Sequence, residues 1–209
     1  MEERKNKQIA LLSRFFPDNT AEIAYDWIQE YKFRFVISKA RSSKFGDYRP
    51  PGDQPFHRIS VNHNLNKYAF LITFCHEVAH LIVWNQHRSS VQPHGKEWKT
   101  TFAQLLYNFM EKNVFPLDIN TALLQSIENP KASSCTDVNL FKVLRRYDEN
   151  PATHLSEIPQ GSVFKMSTGR LFEKGIKKRT RYLCKDLSNQ KLYWINGIAE
   201  VQLVQYPQG

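Results

Sequence analysis

The pattern of apolar and polar positions has a helical period over most of the first 130 residues. Apolar residues recur there every three or four positions in several stretches, which predicts helices that pack through one face. The predicted helices cover residues 8–16, 19–31, 69–84, 94–110 and 116–127. Residues 33–37 and 57–61 instead alternate apolar with polar side chains, which predicts two strands. The segment 42–56 between them is rich in Gly, Pro and Ser, which predicts a loop.

The period changes to that of strands after a polar stretch at 128–134, which predicts a break between two modules. The runs beyond it are short, contain β-branched or aromatic residues and are bounded by glycines, as is typical of strands joined by tight turns. The predicted strands are 163–166, 170–173, 179–184, 192–195 and 199–204. We therefore predict an α+β protein with a larger first domain, residues 1–130, and a small β module, residues 138–209.

The predicted helix at 69–84 is apolar on nearly every side, which predicts that it is buried. It nevertheless carries His76, Glu77 and His80. Residues four apart lie on one helix face, so the two histidines can bind one cation while Glu77 accepts a proton from a coordinated water. The alternative is a pair of core histidines bonded to the backbone, with Glu77 in an ion pair. An unpaired buried charge is costly, so a metal is the simplest common partner for the three side chains.

A hydrolytic zinc site needs a third protein ligand and an open fourth position. The remaining histidines are His57, His63, His87, His94 and His154. His87 lies in a polar stretch that is typical of a solvated loop. His94 is better placed, because it stands in the first turn of the predicted helix 94–110 and could reach back to the metal. The alternative for His94 is a histidine at the start of a helix that faces water. The sequence also leaves the metal open, because imidazole ligands suit manganese and other divalent ions as well as zinc.

The motif and its spacing resemble those of a known family. His76-Glu77-x-x-His80, thirteen intervening residues and His94-Gly95-x-x-Trp98 are similar to the SprT-like metalloproteases, which include the Spartan proteases. The segments 44–48 and 58–65 also resemble the stretch before the zinc helix of that family. The likeness spans about residues 31–109.

This resemblance implies a zincin-like metallopeptidase domain that hydrolyses peptide bonds. It implies one catalytic zinc ion on His76, His80 and His94, with Glu77 as general base. It also implies that strand 57–61 is an edge strand along the active cleft, to which a peptide adds as a further strand. Proteins bound to or crosslinked to DNA are the substrates that the family implies.

The chain departs from the family in its second module. Many SprT-like proteins carry a four-cysteine zinc ribbon there, whereas Cys75, Cys135 and Cys184 are far apart and include no Cys-x-x-Cys pair. We therefore predict a degenerate, ribbon-like module without metal, in which Cys184 is a plain core residue. The aromatic residues expected to fill its core are Phe164, Phe172, Tyr182, Tyr193 and Trp194.

Cysteine usage and hydropathy indicate the cellular compartment of the protein. Three widely spaced cysteines argue against a disulfide framework and favour a reducing compartment. No apolar run approaches the length of a membrane span, and the charged N-terminal segment lacks the pattern of a secretory signal. We therefore expect a cytoplasmic or nucleoid-associated protein that does not bind membranes.

Charge indicates a second partner. The formal net charge is +9, and residues 138–209 contain 12 basic and 6 acidic side chains. Basic residues around a predicted turn, interleaved with aromatic ones, predict a surface that contacts phosphates and stacks on bases of single-stranded or non-specific DNA. These residues are Lys174, Lys177, Lys178, Arg179, Arg181, Phe172 and Tyr182. The alternative is a solvated basic face that only keeps the protein soluble.

Together these features predict a zinc-dependent peptidase that acts on protein substrates bound to or near DNA. A different class stays open, namely a non-catalytic nucleic-acid- or protein-binding module that keeps zinc for structure. Glu77 favours the enzyme, because a structural zinc site does not require a base beside the metal.

Overall fold

The structure, a computed structural model, describes residues 2–41, 44–127, 137–149 and 151–204. The chain divides into two compact units, residues 1–149 and 150–209, and each has its own hydrophobic core. The described residues form six α-helices and two β-sheets, which confirms the predicted α+β class. The predicted break at 128–134 lies outside the described residues.

The first unit contains the six helices, a short 3₁₀ turn and a three-stranded sheet. In chain order its elements are α1 (Glu2–Leu12), α2 (Ala21–Glu30), β1 (Phe33–Ser38), β2 (Gly46–Arg49), β3 (His57–Asn62), α3 (Lys67–His87), α4 (Lys96–Met110), α5 (Leu117–Ile127), α6 (Val138–Leu144) and the 3₁₀ turn Arg145–Tyr147. Helix α4 thus begins two residues after His94, which leaves that histidine in the preceding loop.

Helix α3 is the axis of the first unit. The Asn66 side chain caps it by accepting a hydrogen bond from the Ala69 backbone N–H over 3.0 Å, and thirteen of its residues are buried. The helix packs against β2 and β3 and against α4. The Phe74 ring, for example, lies 5.2 Å from that of Phe35 in β1 and 6.0 Å from that of Trp27 in α2. Burial on nearly every side explains the absence of a polar stripe in its sequence, and the predicted buried helix is confirmed.

The small sheet differs from the prediction in two respects. Its strand order is β1-β3-β2, with β1 parallel and β2 antiparallel to β3. Strand 57–61, predicted to be an edge strand, is therefore central, and β2 forms one edge from within the segment 42–56 that was predicted to be a loop. The sequence Gly-Asp-Tyr-Arg of β2 has no apolar alternation, so pairing with β3 specifies this strand more than its local sequence does.

Residues 138–147 belong to the first unit, although the sequence predicted that the second module begins at residue 138. Leu140, Val143 and Leu144 are buried in the first core. The Asn66 side-chain amide donates to the Leu144 carbonyl oxygen over 2.9 Å, which ties this segment to the start of α3. A short amphipathic helix can bury its apolar face against either core, so the local pattern does not fix the boundary.

The second unit is built on one antiparallel sheet of order β7-β6-β5-β4-β8. Its strands are β4 (Val163–Met166), β5 (Leu171–Lys178), β6 (Arg181–Asp186), β7 (Leu192–Asn196) and β8 (Val201–Leu203). Strands β4 to β7 thus form a four-stranded meander, and β8 extends the sheet by pairing with the outer edge of β4. Cys184 and Phe164 are buried as predicted, whereas Trp194 is 43 % exposed and is not a core residue.

Candidate metal centre

Helix α3 brings His76 and His80 together on one face, because the two residues are four positions apart. Their Nε2 atoms are 3.2 Å apart, and His76 is buried while His80 is half-buried. Glu77 is also buried, and it lies on the adjoining face of the helix beneath β2. All three residues lie in the middle of the helix, where packing on every side limits the directions that their side chains can take.

His94 reaches the same point from the loop between α3 and α4. Its Nε2 atom lies 2.9 Å from that of His80 and 3.2 Å from that of His76. Its backbone has a φ of 61°, in the left-handed region where a residue other than glycine is strained. Gly95 follows in an extended conformation as the N-cap of α4. This sharp turn directs the His94 ring back to α3 while the chain enters the next helix.

The three Nε2 atoms form a triangle with sides of 2.9 to 3.2 Å. A neutral imidazole nitrogen either donates or accepts a hydrogen bond, so three that face one point cannot satisfy one another. In a tetrahedral site with zinc–nitrogen distances of about 2.0–2.1 Å, the ligand nitrogens are about 3.3 Å apart, which is close to these sides. His76, His80 and His94 therefore fit a metal ion that each binds through one nitrogen.

The three histidines are in the protonation state that binds metal. Burial lowers the pKa of His76 to about 2 and that of His80 to about 4, and it also lowers the pKa of His94. The neighbouring imidazoles act in the same direction on His76 and His80, because two imidazolium charges at this distance would repel. All three rings are thus neutral at pH 7 and present lone pairs.

Aromatic side chains of α4 pack against the histidine rings of the site. Trp98 is 1 % exposed, and its Nε1–H donates to the His76 carbonyl oxygen over 3.3 Å. Its ring lies 4.6 Å from that of His76, 4.7 Å from that of His94 and 4.9 Å from that of Phe102, which stacks on it. Within the described part of the chain, Nδ1 of His76 is buried without a hydrogen-bond partner. Packing against these rings therefore orients the His76 imidazole.

Glu77 lies directly beneath the edge strand β2. Gly46 of that strand has no side chain, and a Cβ atom there would lie 2.8 Å from Cγ of Glu77 and 2.8 Å from Cγ2 of Thr73. It would lie closer still to the Glu77 carboxylate. Glycine at this position therefore lets the strand pass over the carboxylate in contact with it.

Opposing groups act on the Glu77 carboxyl group. Burial is the main cause that raises its pKa to about 8, and the nearby Asp47 carboxylate adds to this effect. Three groups act in the opposite direction: a hydrogen bond from the Tyr48 backbone N–H and the cationic side chains of Arg41 and Lys44. A cation beside this group would likewise favour its ionised form, because opposite charges attract strongly where water is excluded.

Tyr48 and His57 adjoin the centre, although the sequence did not single them out as site residues. The Tyr48 ring is nearly parallel to that of His80 at 6.3 Å, and its hydroxyl oxygen lies 2.9 Å from Nδ1 of His57. Burial raises the pKa of Tyr48 and lowers that of His57, so both side chains are neutral at pH 7. Tyr48 lies in the segment predicted to be a loop. The resemblance of residues 44–48 to the family was the one feature of the sequence that could have identified Tyr48 as a site residue.

His87, which the sequence placed in a solvated loop, lies at the end of α3 and away from the three converging rings. It lines a groove of about 570 Å³ between α3 and α4, together with residues such as Glu97 and Asn108. None of the three converging histidines lines that groove.

The predicted nucleic-acid surface is exposed only in part. Its cations at the β5–β6 hairpin are exposed, namely Lys177, Lys178, Arg179 and Arg181. Phe172 and Tyr182, however, are only 2 % and 8 % exposed and belong to the core of the second unit. The expectation that these two rings stack on bases is therefore wrong, because their faces are covered by neighbouring side chains.

Lys174 is also unavailable to a phosphate. It is 5 % exposed, and its ammonium group donates to the Ile158 carbonyl oxygen over 2.5 Å and lies 4.1 Å from the centre of the Tyr182 ring. Burial lowers its pKa. A bulge in β5 between Lys174 and Lys177, which contains Gly175, separates this inward lysine from the outward ones. The inward position of Lys174 was not predicted from the sequence.

Comparison with known proteins gives one match. A family model, described as the SprT-like family, matches residues 7–120, a little more than half of the chain and a range that includes His76, Glu77, His80 and His94. No curated protein and no solved structure matches the chain significantly. In the described ranges, no helix is both long enough and apolar enough to span a bilayer. Because this family model matches more than half of the chain, the chain belongs to the SprT-like family.

Proposed function

We propose that the first unit is a zincin-like metallopeptidase that hydrolyses peptide bonds in protein substrates. The observation that carries this proposal is the convergence of three imidazole Nε2 atoms within 3.2 Å of one another beside the buried carboxyl group of Glu77. Membership of the SprT-like family supports the same reaction class. Three imidazoles with an open fourth position are a donor set of hydrolytic zinc sites, so zinc is the proposed ion.

In this mechanism His76, His80 and His94 would hold the ion. When bound, zinc polarises the scissile carbonyl group and lowers the pKa of water toward neutrality. The Glu77 carboxylate accepts a proton from the attacking water on one of its oxygens and then donates it to the nitrogen of the leaving amine. Trp98 packs against the His76 and His94 rings and so fixes the orientation of both imidazoles.

The substrate is proposed to bind as an extended strand along β2. Asn62 of β3 donates its backbone N–H to the Phe45 carbonyl oxygen over 2.9 Å, so alternate residues of β2 pair inward. The backbone groups of Gly46 and Tyr48 therefore point to the open edge of the sheet, beside Glu77. A peptide added at this edge would pass next to the proposed base, which shifts the predicted docking strand from β3 to β2.

We also propose that the substrates are proteins bound to or crosslinked to DNA. Support comes from the net charge of +9 and from the exposed cations of the β5–β6 hairpin, which attract phosphates without regard to base sequence. The cations lie on a different unit from the histidines. The reaction and the DNA partner can therefore be tested separately.

The peptidase proposal is tested with Glu77→Gln in the full chain. Glutamine keeps the size of the side chain but cannot accept the proton, so this variant should bind zinc like the parent and lose cleavage of an unfolded protein substrate. Glu111→Gln, at an exposed position at the end of α4, is the matched control and should cleave like the parent. Glu77→Gln with parental activity would remove Glu77 from the mechanism. A parent that cleaves nothing with zinc, with or without DNA, would favour the non-catalytic binding module.

A further inference from the structure

The edge strand β2 is anchored to the second half of α3 through a pair of side chains. The Tyr48 hydroxyl group shares a hydrogen bond with Nδ1 of His57 over 2.9 Å. Since Tyr48 belongs to β2 and His57 to the start of β3, this bond links the two strands on the face that meets α3. The Tyr48 ring at the same time lies nearly parallel to that of His80, with 6.3 Å between the ring centres.

His57 is held in turn by residues at the end of α3. Its ring meets the Trp84 ring edge to face, with 5.1 Å between the ring centres. The Arg88 guanidinium group lies 4.0 Å above the other ring of this contact, that of Trp84. The position of the Tyr48 hydroxyl group is therefore fixed to the same helix that carries His76, Glu77 and His80.

The position of β2 and that of the Glu77 carboxyl group depend on each other. Gly46 brings the strand into contact with the carboxyl group, because a Cβ atom at this position would overlap that side chain. A small shift of β2 away from α3 would open this contact and leave the carboxyl group free to adopt other rotamers. The side-chain bond between Tyr48 and His57 opposes such a shift, because the His57 ring is itself packed against Trp84 of α3.

We propose that Tyr48 is a positioning residue of the centre, which acts through its hydrogen bond to His57 to keep β2 against Glu77 and its ring against His80. This inference rests on the proposed peptidase function. The side chain does not need to touch the substrate, and its effect passes through Glu77 and His80. Loss of an outer contact of this kind typically costs a metal site about 10- to 100-fold in activity or affinity.

The test uses four variants of the full chain and one control variant. Tyr48→Phe and His57→Phe each remove the hydrogen bond and keep an aromatic ring, a double variant combines them, and His57→Asn restores a hydrogen-bonding atom near the position of Nδ1. Tyr68→Phe is the matched control, since Tyr68 lies at the start of α3 with its ring against Phe115 and Tyr147. We expect each single Phe variant at residues 48 and 57 to lower kcat about tenfold with KM changed less than about twofold.

The double variant should lose no more than the worse single variant, because one bond is removed in each case, and His57→Asn should recover most of kcat. Losses that multiply in the double variant, or an unchanged kcat in Tyr48→Phe, would overturn the proposal. A second readout separates it from the peptidase function: in the cobalt(II)-loaded chain, the visible absorption bands should shift in Tyr48→Phe and not in Tyr68→Phe. If the parent cleaves nothing, the peptidase proposal fails, but the cobalt spectrum still tests whether Tyr48 positions His80. An unshifted spectrum in Tyr48→Phe would refute the positioning proposal.

Discussion

His94 is the residue at the centre whose position depends most on local strain. Its φ of 61° lies in the left-handed region, which costs a non-glycine residue about 1–3 kcal/mol and persists where the surroundings fix it. The tertiary structure holds it there between Trp98, at 4.7 Å between ring centres, and the ring of His80, at 4.5 Å. Strain at a residue that converges with two others is consistent with a ligand role.

We expect His94→Ala to weaken zinc binding by more than the roughly 10- to 100-fold that loss of an outer contact costs, because it removes one of three ligands. Bound zinc is measured by elemental analysis after dialysis against a weak chelator. His87→Ala is the matched control, since His87 lies on the groove between α3 and α4, and it should keep the parental zinc content. Full occupancy in His94→Ala would assign the third ligand position to another group.

Asp186 provides a pH test in the second unit. Its buried carboxylate accepts hydrogen bonds from the Ser188 hydroxyl group at 2.6 Å and the Ser188 backbone N–H at 2.8 Å, and it forms an ion pair with Arg170. These contacts, led by the Ser188 hydroxyl group, lower its pKa to about 2. A folded-state pKa below the unfolded value of about 3.9 contributes stability that is complete above that value and is lost as the pH falls toward 2.

Asp186→Asn should therefore make the second unit less stable at pH 7 and make its stability less dependent on pH between about 4 and 2. Two-dimensional NMR spectra of the full chain, followed through the signals of residues 163–203 as acid is added, measure this effect. The signals of the first unit serve as an internal reference. An identical acid transition in parent and variant would contradict the assigned role of the carboxylate.

At the scale of elements, β2 is placed by its contact with α3. Gly46→Ala introduces a Cβ atom 2.8 Å from Cγ of Glu77, so either the strand or the carboxyl side chain has to move. We expect a loss of about 1–3 kcal/mol in the free energy of unfolding, as is usual for overpacking, and a loss of cleavage with zinc binding retained. Chemical denaturation and zinc analysis measure the two effects.

Gly52→Ala is the control for this prediction, because a Cβ atom there meets nothing within 4 Å. Its unfolding free energy should change by less than about 0.5 kcal/mol. Equal effects of the two substitutions would show that contact with Glu77 does not determine the position of β2.

Helix α3 and strand β2 show how far local sequence predicts an element. The apolar sequence of α3 predicted its burial and the shared face of His76 and His80, because helical geometry acts over four residues. The helix, Lys67–His87, extends beyond the predicted range 69–84 at both ends and includes His87. The four residues of β2 have no such pattern, and their pairing partners in β3 lie 9 to 15 residues further along the chain. The strand and its contacts through Tyr48 were therefore not predicted.

At the scale of the whole molecule, four of the exposed cations lie together on one hairpin of the second unit. The β5–β6 hairpin exposes four cations, whereas the cation at Lys174 is turned into the core of its unit. DNA binding through this hairpin should be independent of sequence and should weaken steeply with salt. Because Phe172 and Tyr182 are buried, they provide no reason for a preference for single strands.

We expect Lys177→Glu, Lys178→Glu and Arg179→Glu in one variant to weaken DNA binding and to reduce the slope of log affinity against log salt by about 2 to 3. Anisotropy titrations at several salt concentrations measure both. The control variant reverses three exposed cations of the first unit, Lys39, Lys96 and Lys112, and has the same net charge. Equal losses in the two variants would indicate a general effect of net charge, and no binding by the parent at low salt would leave the hairpin without a role in DNA binding.

The sequence by itself determined the features that act over a few residues. It determined the buried helix with its two histidines and glutamate, the α+β class and the core position of Cys184, because periodicity and burial follow from helix and strand geometry. The family-like spacing of the motif singled out His94 as well.

The tertiary structure decided the features that depend on partners distant along the chain. It made β2 the edge strand over Glu77, joined Tyr48 to His57 and placed α6 in the first core. It also turned Lys174 inward, on the same face of β5 as Phe172, and a bulge after Lys174 separates it from the exposed Lys177 and Lys178. Local patterns do not contain these outcomes, since strand pairing and packing are selected among many combinations of distant segments.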